Sequence, residues 1–377
     1  MKVNVNIPPN SSLLTSFLLE GLLKIRSRCP HDVSVECLNK IWLELENNLK
    51  NRRLTFRLVG NDAKSAEKVL SLCSNIKTKS SGSKKEKLVD FNTFIECLKK
   101  VELNEISVSY RIFPGMQLVG AEEFIGDPSK AKQHGYSFQI MKTDRYQGIA
   151  SLELELLNKQ VTLYSDLPAT YLFFLGLLSS LVANVNRDDF YFLLYETSLL
   201  PQALKRPGDY MDIKDKVISR LSETLATLRS WSEEVITLSI LFDAELISDI
   251  VKKEIASVIN FRLLRIRIEG NTYKVYNDIP LNIYVKQEIY KNTDLIKALH
   301  TSIKDLTPMV SKFLRGEDST GESQHAYLAL KYLYMYAITG NYSLLTRYYR
   351  ELMEAYKASG GVNERYLTLA SRFFMKP

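Results

Sequence analysis

Pro201-Gln202-Ala203-Leu204-Lys205-Arg206-Pro207-Gly208 is the stretch that divides the chain. Two prolines, a glycine and the Lys205-Arg206 pair give it the composition of a linker, and the hydrophobic pattern changes across it. After it, Ile213, Val217, Leu221, Leu225 and Leu228 step by three and four, as one helix face does; before it, Ile106, Val108, Tyr110 and Ile112 alternate as the buried side of a strand does. A boundary between 205 and 206 gives a mixed α/β domain over 1–205 and a helical domain over 206–377.

Working back toward the N-terminus, a strand over 2–7 precedes helices at Leu13 to Ile25 and around Ile41, Trp42, Leu45 and Leu49. A strand through Leu54, Phe56 and Leu58 follows, then a helix from Asp62, as its cap, to Cys73. Tyr136, Phe138 and Ile140 read as a strand, and Leu152 to Leu156 with Val161 and Leu163 as an antiparallel hairpin turning at Asn158-Lys159. The glycine-rich stretch from Pro114 to Gly135 reads as a long loop. Tyr171 to Val185 is apolar but interrupted by Gly176, Ser179, Ser180 and Asn184, short of the roughly 20 residues that cross a bilayer, so it reads as a buried helix, with a strand at Phe190 to Tyr195. Beyond the linker, a helix over 232–260, a hairpin near 261–277 turning at Gly270-Asn271, and helices near 282–299, 302–314, 323–338, 342–358 and 363–374 suggest a bundle. The expected class is α+β: a mixed, largely antiparallel α/β N-terminal domain followed by a helical bundle with an inserted β-hairpin.

In a chain of 377 residues, 45% hydrophobic and 25% charged, a full core forms without staples. The four cysteines, Cys29, Cys37, Cys73 and Cys97, form no CxxC pair and read as free, mostly buried thiols. The N-terminus lacks the pattern of a secretory signal, so no export is expected. Phosphate-binding glycine loops, HExxH, GxSxG and kinase-like sets are absent from the sequence. His31 beside Cys29 and Cys37 has unusual spacing for zinc and no fourth ligand nearby. Asp188-Asp189 and Asp209, Asp212 and Asp215 could hold metal, but acids near helix N-termini are common without one. No catalytic residue, metal or cofactor is assigned.

Basic residues carry the remaining signal, since the net charge of +7 is mild for this length. Lys77, Lys79, Lys84, Lys85 and Lys87 lie in a Ser/Gly/Lys stretch able to reach phosphates without fixed geometry, or merely to keep a loop soluble. Arg265 and Arg267 share one strand face, with Lys274 on the facing strand; they suit phosphate contact unless Glu269 or an acidic helix neutralises them. Arg347 and Arg350, with Lys331, lie among Tyr332, Tyr334, Tyr336, Tyr342, Tyr348, Tyr349 and Tyr356, a mixture that can stack bases and hold phosphates or can simply pack with polar tips outward. Arg52, Arg53 and Arg57 form a further basic group.

The short opening strand, the run Ser12-Leu13-Leu14-Thr15-Ser16-Phe17-Leu18-Leu19-Glu20-Gly21, and a helical end containing Ala326-Tyr327-Leu328-Ala329-Leu330-Lys331-Tyr332 together resemble, in size, order and texture, the archaeal CRISPR-associated Csa-type large subunit of a type I-A Cascade interference complex. The resemblance implies a cytoplasmic, non-catalytic subunit that joins other Cascade subunits and crRNA. It would help recognise target DNA and the short motif beside it, while base pairing reads the sequence. The alternatives are a protein-interaction scaffold without nucleic-acid contact, or a metal-dependent nuclease.

Overall fold

A computed structural model describes residues 1–7, 12–51, 56, 58–59, 62–73, 91–146, 162–185, 188–253, 255, 258–284 and 293–374. The chain forms two units, Met1–Met211 with Phe261–Pro280, and Asp212–Asn260 with Leu281–Pro377. The class is mixed α+β, with two four-stranded sheets among the described residues.

The first unit is built on two helices buried on every side, α1 (Leu13–Arg28) and α7 (Leu167–Ser180). Ser12 caps α1, accepting the Thr15 N–H at 3.2 Å, and Asp166 caps α7, accepting the Ala169 N–H at 2.8 Å. The two helices pack closely because glycines face each other. A Cβ on Gly176 would land on the Phe17 carbonyl, and one on Gly21 on the Leu172 carbonyl. The first sheet, in order, is β1 (Lys2–Asn6), β2 (Glu105–Phe113), β3 (Met116–Gly120) and β4 (Thr162–Ser165); β1 and β2 run parallel, β2 and β3 antiparallel, β3 and β4 parallel. The second is β5 (Leu181–Val185), β6 (Asp189–Tyr195), β7 (Val258–Glu269) and β8 (Thr272–Tyr284). Helix α7 packs on both sheets and α1 on β6. Phe17 meets Phe173 and Phe192 edge-on at 5.4 Å each, and Glu20, buried in α1, accepts the Tyr195 N–H at 2.6 Å.

Several expectations need correction. The hairpin near 261–277 is β7–β8, and β7 pairs antiparallel with β6, so it completes a sheet of the first unit rather than interrupting the bundle. The cysteines are joined as Cys29–Cys37 and Cys73–Cys97, with Cα atoms 6.2 and 5.8 Å apart, because α1 turns straight into α2 (Val35–Asn51) and α3 (Asp62–Leu70) packs on α4 (Phe91–Lys100). The expected loop at 114–135 holds β3, α5 (Glu122–Gly126) and α6 (Pro128–His134), elements too short to set up a periodicity. Tyr136 makes one bridge to Ser165, and Ile140–Tyr146 is a 3-10 helix. The apolar run 171–185 bends after Ser180 into β5. Pro201 and Pro207 start helices α8 (Leu200–Ala203) and α9 (Pro207–Leu228); a proline in the first turn lacks only an N–H that no helix bond uses. Asp62 is the first residue of α3 and accepts the Gln139 and Val59 N–H groups instead of capping forward. Phe56 and Leu58 are not in a strand, and residues 52–55 and 152–156 lie outside the described residues.

The second unit is helical. Its members are α9 from Asp212, α10 (Glu233–Leu241), α11 (Ala244–Lys253), α12 (Thr293–Leu314), α13 (Glu322–Thr339), α14 (Ser343–Ala358) and α15 (Arg365–Phe374). The helix expected over 232–260 breaks at Phe242–Asp243 and gives way to β7 from Val258; of that expected at 282–299, 282–284 are the end of β8 and 293–299 join the one expected at 302–314 in the single α12, with Pro308 inside it. Helices α13 and α14 pack antiparallel, flanked by α10, α12 and α15, around Leu228, Leu238, Leu299, Val310, Leu333 and Leu352, all buried. Among the described residues, no helix is long and apolar enough to cross a membrane.

Candidate nucleic-acid interface

The hairpin arginines already have a counter-ion. The antiparallel register sets Asp189 opposite Arg267 and Tyr191 opposite Arg265, so both guanidinium groups reach back to the Asp189 carboxylate. Arg267 donates through Nε and Nη2 at 2.8 Å, and Arg265 through the same pair of atoms at 3.1 Å. Burial acts to raise the Asp189 pKa, but these hydrogen bonds and charges outweigh it and hold the group below the usual carboxylate range. The Tyr276 ring lies 4.8 Å from the Arg267 guanidinium and 5.9 Å from that of Arg265. Lys274 pairs with Glu269 at 2.5 Å, and Arg262 with Asp278 at 2.5 Å. The expectation of an open arginine face is corrected: Arg265 and Arg267 share the single Asp189 carboxylate and Lys274 is paired with Glu269, so the three cations form an ion-paired, sheet-locking cluster that keeps one net positive charge. Asp189 was visible in the sequence only as half of an acidic pair, because its partners are fixed by strand register.

The helical unit carries exposed cations. Arg347 and Arg350 are one turn apart on the exposed side of α14, and Lys331 lies on the exposed stripe of α13. Among the described residues none of the three forms an ion pair; Glu351 is held by His325 at 2.8 Å and Glu354 by Lys357 at 3.0 Å. The Arg347 guanidinium stands 5.7 Å from the Tyr332 ring, bridging the two helices. The other tyrosines divide by environment. Tyr336, Tyr348 and Tyr366 are buried, and burial pushes the Tyr336 hydroxyl up to about 12. Tyr327 and Tyr334 donate to Glu234 and Glu233 of α10 at 3.2 and 3.3 Å, while Tyr342 and Tyr349 reach solvent. Met335, Ile338 and Tyr342 form an exposed apolar tip that the sequence reading missed; the i, i+4, i+7 series Lys331, Met335, Ile338 was its signal.

The remaining candidates fall away or lie elsewhere. Lys77, Lys79, Lys84, Lys85 and Lys87, with Arg52, Arg53 and Arg57, lie outside the described residues. Cys29 and Cys37 are bonded to each other, which removes the His31 cluster, and among the described residues no group of three or more His, Cys, Asp or Glu side chains is placed to hold a metal ion. Of the acids near 188–215, Asp189 holds two arginines, Asp209 holds Arg206 at 2.8 Å, and Asp212 holds Lys253 at 3.1 Å.

A protein of Archaeoglobus fulgidus, described only as uncharacterized, is 24% identical over 376 residues, spanning 94% of this chain and 93% of the relative. No family model matches the chain. No solved structure matches it either. The likeness therefore runs through both units of this chain.

Proposed function

We propose that the chain is a non-catalytic, nucleic-acid-binding large subunit of an archaeal CRISPR interference (Cascade) complex, aiding recognition of target DNA and its flanking motif. The observation that carries the reading is the α13–α14 face, where Arg347, Arg350 and Lys331 stand exposed with no close ion pair among the described residues, Arg350 acts on Glu354 only at longer range, and Arg347 lies over the Tyr332 ring. Guanidinium groups on a rigid helix pair suit a phosphate backbone, and an exposed ring accepts any base by stacking. An archaeal relative of the same extent is compatible with the reading. Photocrosslinking tests it: single-stranded DNA and RNA carrying halogenated or thio-substituted pyrimidines should label peptides from 331–350. Crosslinks confined to other segments, or none, would overturn the assignment of this face.

A protein-interaction scaffold is the second reading, favoured by the engagement of Arg265, Arg267 and Lys274 in ion pairs with Asp189 and Glu269. It expects a chain that enters an assembly but yields no nucleic-acid crosslink from either unit.

A further inference from the structure

An apolar space of about 360 Å³ opens in the first unit, between α2, α4 and α7. Its inner wall is Trp42, Leu45, Phe91, Ile95 and Leu178, all shielded from solvent, with half-buried Leu49 nearer the mouth. The indole N–H of Trp42 is already given to the Tyr171 hydroxyl at 2.5 Å. Polar groups stand at the rim alone, and their charges are matched: Glu46 accepts from Lys50 at 2.5 Å and from Lys99 at 2.7 Å, and Glu96 from Lys99 at 3.1 Å.

Water has little reason to fill such a space, because an ordered water needs two to four polar partners and the wall has none left to offer. An apolar recess of this volume leaves its lining without contacts on the open side, which a fitting apolar group would restore. Volume and lining fall at the lower end of the range for small-molecule pockets. We propose that this space is a binding site for an uncharged, predominantly apolar small molecule, seated against Trp42 and Phe91, with the Asn92 amide at the rim for a single polar group. The paired charges of Glu46, Lys50 and Glu96 leave no lone ion to favour a charged ligand. The site is independent of the nucleic-acid face, which lies in the other unit.

The neutral fluorophore N-phenyl-1-naphthylamine is a suitable probe, titrated into the full chain with tryptophan excitation. The chain has two tryptophans, so Trp42→Phe identifies the donor. Saturable one-to-one binding is expected, with energy transfer lost in Trp42→Phe and affinity at least tenfold weaker in Ile95→Trp and Leu49→Trp, which fill the space. Circular dichroism checks that the variants fold, and half-buried Leu49→Trp alone decides if Ile95→Trp does not. Absence of saturable binding, or parental affinity in the folded filled variants, overturns the proposal.

Discussion

Asp189 is the residue on which the second sheet turns. Its side chain is 3% exposed and holds the guanidinium groups of Arg265 and Arg267 of β7, so truncation leaves two cations facing a site built for an anion. Asp189→Ala should cost roughly 3 kcal/mol, at the low end for a broken buried pair because Arg267 is partly solvated, read from urea unfolding. Asp62 sets a different dependence. Burial outweighs the hydrogen bonds from Gln139 and Val59 and raises its pKa from 3.8 to about 7. Because the folded value lies above the unfolded one, the folded state binds the proton more tightly; this contribution to stability is complete below about pH 4 and lost as pH rises to about 7. Asp62→Asn should flatten stability between pH 4 and 7. Glu44 runs oppositely: burial would raise its pKa, but Arg28 and Lys24 hold it at about 2, so its contribution is present above 4.5 and lost only as pH falls toward 2.

Among elements, the α1–α7 crossing and the two disulfides are the constraints most exposed to test. Gly176→Ala places a methyl group against the Phe17 carbonyl, and the helices must separate to admit it. A loss of about 1–3 kcal/mol is expected, with Gly21→Ala behaving alike, measured as a fall in denaturation midpoint. Cys73 and Cys97 are 24 residues apart in sequence, a loop whose closure contributes roughly 3 kcal/mol. Thiol titration of the unfolded, unreduced chain should find no free thiol, and a Cys73→Ser/Cys97→Ser variant should lose about that much stability. Four titratable thiols before reduction would contradict both disulfides.

At the scale of the whole molecule, what could be read from the sequence was whatever repeats locally. The three-and-four spacing from Ile213 to Leu228 and the Gly270-Asn271 turn appear as read, and the alternation from Ile106 to Ile112 is a strand as read, buried at Ile106 and Val108 but exposed at Ile112. What depends on distant partners was hidden. The hairpin's place in the sheet needed the β6 register, the cysteine pairs needed helices returning on one another, and the ion pairing of Arg265 and Arg267 needed Asp189 across a strand. Pro201 and Pro207 misled because the same residue that ends a helix can begin one. Arg347 and Arg350 were legible as charge; that they stand without a close ion pair among the described residues was not.

The most direct test of the nucleic-acid reading is the salt dependence of binding. Fluorescence anisotropy of labelled single-stranded DNA with the purified chain gives the slope of log affinity against log salt concentration, which counts neutralised phosphates. Binding should weaken steeply with salt, and Arg347→Ala/Arg350→Ala should lower the slope by roughly 1 per side chain with the fold intact. Binding without salt dependence, or a double variant with the parental slope and affinity, would contradict it.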